Sequence, residues 1–264
     1  MNSPRISASS YSNTAPLVWS FLYGKSRGTA ELIMDTAPAR SAELLAQDRV
    51  DAALVPVIAY QMIEGVRVVP DVCVGARESV RSVCLVTRGC DIGDVRSVSL
   101  DISSRTSVVL TKLIFREFLG FEPTWSDAAP DVDAMLADSD AALLIGDPAL
   151  RMSSSAGPER RVYDLAELWH DHTGFGFVFA MWMSRRASIP IDLAAARDEG
   201  VSRIDEIAAN YASDTGLSRD EMKQYLTKNI SYSIDDSMLA GLELYFSLAA
   251  KHGLIAENRA LKFV

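Results

Sequence analysis

Two runs in this chain, DAALVPVIAY at 51–60 and AALLIGDPAL at 141–150, are apolar at almost every position. A strand with one solvated face alternates apolar and polar residues. These runs present no polar face, as in strands of a mainly parallel sheet covered by helices on both sides. Each run closes a series of alternating strand and helix patterns. In the first half, Arg5 to Ala8 reads as a strand and SNTAPLVWSFLYG (12–24) as a turn followed by a helix that Gly24 stops. Leu32 to Asp35 follows as a second strand, and SAELLAQDRV (41–50) as a helix behind Pro38, which completes a βαβαβ beginning.

The second half repeats the scheme. Ser97 to Leu100 reads as a strand running into a Ser/Thr-rich turn and a helix of about four turns at 3.6 residues each, ended by Gly120. The second apolar run then gives a strand ending at a turn. SSSAGPERR (153–161) reads as a polar surface loop, and RVYDLAELWHDHTGF (161–175) as a strand and a helix. After the further apolar stretch Val66 to Ala76, SVRSVCLVTR (79–88) reads as a strand with Val80, Ser82, Cys84 and Val86 on one face and Arg81, Val83, Leu85 and Thr87 on the other. FGFVFAMWM (175–183) leads into a helical tail from Asp192 to Lys251, broken near Asp214 to Gly216 and around Asn229 to Ser233.

The fold expected is therefore α/β and two-lobed. Lobe 1 comprises residues 1–88 plus 179–264, lobe 2 comprises 89–178, and the crossover strands are SVCLVTR and FGFVFAMW. Ligands of open α/β sheets bind at the carboxyl ends of the strands, which places the cleft between the lobes.

Composition bounds what that cleft holds. The hydrophobic share of 48% and charged share of 23% are those of a folded globular chain. A net charge of -9 without any dense Lys/Arg stripe argues against a nucleic-acid surface, so an anion has to be held by local devices. Cys73, Cys84 and Cys90 form no CxxC pair or His/Cys cluster and read as free thiols in or near strands. His170 and His172 lack a third ligand and read as a solvated helix end, so no metal and no other cofactor is expected. MNSPRISASS has no signal-peptide apolar run, and no stretch reaches the ~18 apolar residues of a membrane span. The expectation is a cytoplasmic protein with no membrane or nucleic-acid partner, monomeric or homodimeric.

Polar groups converge at two strand-to-helix turns. In Tyr11-Ser12-Asn13-Thr14-Ala15-Pro16, the side chains either cap a helix or leave spare donors, Asn13 among them, facing the cleft. Ser103-Ser104-Arg105-Thr106-Ser107 occupies the same position in the other half, with four hydroxyls and a guanidinium around a positive helix end. Facing each other, the two turns could grip a ligand bearing two negative groups. Pro56, and Gly146-Asp147 after ALLI, sit where cleft loops belong, although Gly-Asp is also an ordinary turn. Ser82 is a hydroxyl among apolar neighbours and needs a backbone or ligand partner. GxSxG, Walker, GxGxxG and HExxH motifs are absent from the sequence.

The segments YSNTAPL, DAALVPV, SVRSVCLV, SSRTS, LLIGDPAL, DLAELWHDHTGFGFVFAMW and YLTKNISYSIDDSMLAGLELYFSLAAKHGLI, in this order, resemble the chorismate dehydratases of the futalosine route to menaquinone. The resemblance spans nearly the whole chain and implies a type II periplasmic-binding-protein-like fold. Two positions depart from the family pattern: Ser12 stands where a larger apolar residue is usual, and Gly176 where proline is common. The histidine pattern of the sister 1,4-dihydroxy-6-naphthoate synthase is not apparent near the chain end. The implied chemistry is loss of the C3 proton and C4 hydroxyl of chorismate, giving 3-[(1-carboxyvinyl)oxy]benzoate and water.

The C3 proton is acidic because its carbanion is conjugated with the diene and the ring carboxylate, so the substrate's own enolpyruvyl carboxylate can serve as base. Asn13 and Ser82 would assist the leaving hydroxyl. Tyr11, Ser12, Thr14, Pro56, Arg81, Ser103, Ser104, Arg105, Thr106, Ser107, Gly146, Asp147 and Phe177 would bind substrate, with Asp147 an alternative base or an orienting group. Two rival readings stand beside this one: a solute-binding protein without catalysis, and the sister synthase.

Overall fold

The computed structural model describes residues 3–35, 37–155, 157 and 159–264. The first half folds as β1 (Arg5–Ser9), α1 (Ala15–Tyr23), β2 (Glu31–Asp35), α2 (Pro38–Ala46), β3 (Ala52–Pro56), α3 (Ala59–Met62) and β4 (Arg67–Ala76). The second contains β5 (Val83–Thr87), β6 (Ser97–Asp101), α4 (Thr106–Leu113), β7 (Thr124–Ala128), α5 (Val132–Asp138), β8 (Ala141–Ile145), α6 (Gly146–Ser155), β9 (Arg161–Asp164) and α7 (Leu165–Thr173). The chain then returns through β10 (Phe177–Ser184) into α8 (Leu193–Val201), α9 (Ile204–Thr215), α10 (Arg219–Gln224) and α11 (Asp236–Lys251).

The two apolar runs supply β3 and β8, each buried at every position and each at the centre of a five-stranded sheet. The sheets share one plan, β2-β1-β3-β10-β4 and β7-β6-β8-β5-β9. β1, β2 and β3 are parallel, as are β6, β7 and β8. β10 then pairs antiparallel with β3 and β4, and β5 antiparallel with β8 and β9. Each lobe thus receives its antiparallel strand from a crossing of the chain. This is the α/β, two-lobed and twice-crossed architecture that the sequence implies.

Several expected boundaries shift. β5 pairs wholly within the second sheet, so residues 83–88 lie with lobe 2, while Phe177 and Val178 already lie in the first sheet. The crossings themselves are the segments 77–82 and 174–176, and the 79–88 strand is shortened because Arg81 takes φ 61. Past Pro56 the first apolar run leaves the sheet for α3. Past Ile145 the second enters α6 rather than ending at a turn, and α6 extends into the expected 153–161 loop, where residues 156 and 158 lie outside the described residues. β7 and α5 carry too few buried residues to stand out as patterns, β7 being a half-exposed edge strand.

The tail joins both lobes. α11 packs on β10 and on α4, and the Tyr245 hydroxyl donates to the Thr106 carbonyl at 3.0 Å. Glu117, in the π-helical turn that continues α4, accepts from Lys251 at 2.8 Å and lies 2.6 Å from the His252 ring. Cys73 lies in β4 and Cys84 in β5, both as buried free thiols. Among the described residues no helix is long and apolar enough to cross a membrane.

Candidate functional site

A cavity of about 60 Å³ lies between the lobes at the carboxyl ends of β1, β3 and β8. Lobe 1 contributes Ser9, Tyr11, Asn13, Thr14 and Pro56, and lobe 2 contributes Ser104, Thr106, Ser107 and Gly146. The two strand-to-helix turns therefore meet at one space. Leu54, Val74, Val80, Val83, Ile145 and Phe179 give that space apolar walls, and among the described residues no charged side chain lines it. Tyr11 also borders a wider outer groove of about 620 Å³ lined by Arg40, Glu43, Asp147 and Arg151.

Hydroxyls fix the shape of both turns. Thr14 Oγ1 reaches the carbonyls of Ser9 at 2.6 Å and Tyr11 at 2.8 Å, which pins the 3-10 turn Ser12–Thr14 ahead of α1. With that hydroxyl committed, Tyr11 and Asn13 are the members of this turn with further side-chain donors that line the cavity. At the other turn, the Ser104 hydroxyl accepts from the Ser107 N–H at 3.2 Å, a helix cap, and Thr106 Oγ1 accepts from the Ile58 N–H of lobe 1 at 3.3 Å. Arg105 turns away from the cavity, toward Glu43 of α2 at 3.7 Å. Ser103 donates to the buried Asp101 carboxylate through its N–H at 2.9 Å and its hydroxyl at 2.6 Å. The positive helix end therefore faces the cavity with neutral groups alone.

Ser82 stands in a γ-turn rather than on a strand. Its N–H donates to the Val80 carbonyl at 2.7 Å across Arg81, whose positive φ is unusual for a non-glycine residue. Asp164, ahead of α7, clamps this turn: Oδ2 accepts from Val80 N–H at 2.9 Å and Arg81 N–H at 2.6 Å, while Oδ1 caps α7 through Ala166 and Glu167. Burial pushes the Asp164 carboxyl up, against the downward pull of these four N–H groups. The Ser82 carbonyl accepts from Gly146 N–H at 2.7 Å, but the Ser82 hydroxyl is buried with no partner among the described residues. Neither Arg81 nor Ser82 is among the residues that line the cavity.

Two side chains join the lobes at the cavity mouth. Ser12 donates to Asp147 through its hydroxyl at 2.5 Å and its N–H at 3.1 Å. Asp147 is thus an anchor for the opposite turn, and burial raises its pKa above the ordinary carboxylate range while Ser12 lowers it. A larger apolar residue at position 12 could not make the hydroxyl contact. Gly146, at φ 62, lets the Tyr11 ring approach so closely that a Cβ there would stand 2.6 Å from it. At the other departure, Gly176 N–H donates to Ser237 Oγ at 3.1 Å, a bond proline cannot make.

Phe177 does not reach the cavity. Its ring packs in the core against Trp169 at 5.4 Å and Tyr245 at 5.1 Å, and a register shift of β10 between Val178 and Ala180 turns Phe179 and Ala180 to the cavity instead. His172 stacks on Phe118 at 4.5 Å, and His170 Nδ1 lies 3.3 Å from the Phe175 carbonyl. Sequence reasoning missed Asp164 and Phe179. Of these, only Asp164 carries a local signal, an Asp two and three residues ahead of the N–H groups it caps.

A family model described as menaquinone biosynthesis matches residues 4–251. The chain is 30% identical over 255 residues to a protein of Thermus thermophilus named chorismate dehydratase, covering 89% of this chain and 91% of that one. Among solved structures, a protein of Archaeoglobus fulgidus superposes with a TM-score of 0.71 at 17% identity, covering 96% of this chain and 98% of the other. A Candida albicans gene product described as having the generic periplasmic binding protein fold superposes with a TM-score of 0.70 at 15% identity, covering 98% and 92%. These two likenesses bear on the fold.

Proposed function

The chain belongs to the menaquinone biosynthesis family, and from that premise we propose that it dehydrates chorismate to 3-[(1-carboxyvinyl)oxy]benzoate. The observation that carries this reading is the single cavity shared by one helix start from each lobe, walled by apolar side chains and free of charged ones. Apolar walls suit the faces of a six-membered ring. The α4 start with Ser104, Thr106 and Ser107 suits a carboxylate, because oriented N–H groups and the helix dipole favour an anion without a neighbouring cation.

In the reaction, the C3–H bond breaks and its electron pair forms the C3–C4 double bond as the C4–O bond breaks. The departing hydroxide takes up the proton removed from C3 and leaves as water. Among the described residues no carboxylate or histidine lines the cavity, which supports the substrate's enolpyruvyl carboxylate as the base. Asn13, which lines the cavity, and Ser82, next in sequence to the lining residue Val83, are the neutral donors assigned to the leaving oxygen, and placement between the lobes supplies the alignment. Asp147, bound to Ser12, has the orienting role rather than that of base.

The test is incubation of the purified protein with chorismate, followed by ultraviolet absorbance and mass. The expected result is an aromatic product lighter by one water. Binding of chorismate without turnover would favour a solute-binding role. Turnover of a cyclic futalosine derivative in place of chorismate would favour the sister synthase.

A further inference from the structure

The cavity and the outer groove are divided by a single layer of residues. Ser9, Ser104 and Gly146 line the cavity, and their chain neighbours Ser10, Ser103 and Asp147 line the groove. Tyr11 is the one residue common to both linings. The two spaces differ in character: the groove carries Arg40, Glu43, Asp147 and Arg151, whereas among the described residues no charged side chain lines the cavity.

The Tyr11 ring stands in this divide. It lies on Gly146 of the opposite lobe so closely that a Cβ there would come 2.6, 2.7 and 2.9 Å from its Cδ2, Cε2 and Cγ atoms. The backbone beneath the ring is fixed on both sides. Ser10 N–H donates to the Asp35 carbonyl at 2.8 Å, and the Tyr11 carbonyl accepts from the Thr14 hydroxyl at 2.8 Å and the Thr14 N–H at 3.0 Å. Ser12, next along, is held by Asp147. The ring is half-buried, so rotation about its side-chain torsions moves it without breaking any of these bonds.

Small-molecule pockets begin at about 300 Å³, and at about 60 Å³ this cavity falls well short of that. Parting the lobes to enlarge it breaks the Ser12 contact to Asp147 and the Ile58 N–H bond to Thr106. Swinging one ring outward breaks neither, and joins the cavity to a groove of about 620 Å³.

We propose that Tyr11 is the gate of the site: its ring swings off Gly146 to let ligand pass from the groove, then returns to separate the reacting dicarboxylate from water outside. The inference rests on the dehydration reading for the identity of that ligand. Lids of this kind set the rates of entry and release, and excluding water strengthens every fixed dipole around the reacting ring.

Rapid-mixing kinetics of 3-[(1-carboxyvinyl)oxy]benzoate binding to wild type, Tyr11→Ala and Tyr11→Phe test it, with a melting curve for each. A gate slows passage in both directions. A residue that only touches bound ligand changes dissociation and leaves association where it was. Tyr11→Ala is therefore expected to raise the association rate constant by about 10-fold or more, and the dissociation rate constant at least as much. Tyr11→Phe keeps the ring and should associate within about twofold of the wild-type rate. If Tyr11→Ala melts below the assay temperature, Tyr11→Leu, which also lacks the ring, carries the same expectation. A rise in association of less than about threefold on loss of the ring, or a Tyr11→Phe as fast as the truncated variant, would overturn the inference alone, since product binding leaves the dehydration reading standing. A wild type that turns over chorismate but never holds product also overturns it, because nothing then delays release. A wild type that neither binds product nor turns over chorismate overturns the dehydration reading and this inference with it.

Discussion

Asn13→Ala and Ser82→Ala are each expected to lower kcat for chorismate dehydration by about 100- to 1000-fold, the usual consequence of removing one oriented donor from a developing negative charge. The elimination expels hydroxide, a poor leaving group, and the cavity offers no acid to protonate it beforehand. Transition-state charge on the departing oxygen must then be met by neutral donors in place before the bond breaks. Ser82→Ala deletes a hydroxyl that has no partner among the described residues, so folding should be untouched. Asn13 is nearly buried at the end of a turn whose backbone is held by Thr14, so its loss should likewise leave the fold intact. KM should change much less than kcat in both, since the helix starts that hold the carboxylates remain. Steady-state kinetics with a melting curve for each variant separates these effects, and full turnover in either would remove that residue from the mechanism.

Asp164→Ala is expected to cost about 3 kcal/mol of stability, because it strands three part-buried N–H groups at about 1 kcal/mol each, with a smaller loss at the exposed Glu167 N–H. One carboxylate serves all four: two in the γ-turn and two at the start of α7. For a chain of this size that is a fall of roughly 6–12 °C in Tm. Turnover should fall as well, because Arg81 is kept at φ 61 by the clamp and Ser82 follows it. Asp164→Asn should lose less, keeping one acceptor oxygen. Its carboxyl is raised by burial, so the folded state takes up a proton more readily than the unfolded one. The stability it contributes is full below about pH 4, the range of an unfolded Asp, and declines as pH rises through the raised value. Paired melting curves across pH for wild type and Asp164→Asn should show this slope in the wild type alone. A slope shared by both would assign it to other groups.

What the sequence made legible follows from local pattern. The runs at 51–60 and 141–150 identify β3 and β8 because burial on both faces leaves no polar alternation. The hydroxyl-rich turns identify the helix starts because capping is a contact over two or three residues. What remained hidden is long-range or depends on a single torsion. The Ser12–Asp147 contact joins residues 135 apart, and neither residue type suggests the other. The γ-turn is invisible because nothing in Val80-Arg81-Ser82 requires a positive φ, and the two N–H contacts that Asp164 accepts there come from a residue more than 80 positions away. Phe177 and Phe179 look interchangeable in FGFVFAMW, and a shift of register in β10 decides which of them reaches the cavity. Arg105 was expected to grip the anion, but Glu43 across the cleft offers the guanidinium a carboxylate and the helix start is left to act without it.

The most direct measurement is a crystal structure of the protein with 3-[(1-carboxyvinyl)oxy]benzoate bound. The ring should lie against Phe179 and Ile145, with one carboxylate on the first turn of α4 at Ser104 to Ser107 and the C4 edge toward Asn13. Product held in the outer groove by Arg40 or Arg151, with no contact to Asn13, would contradict the account.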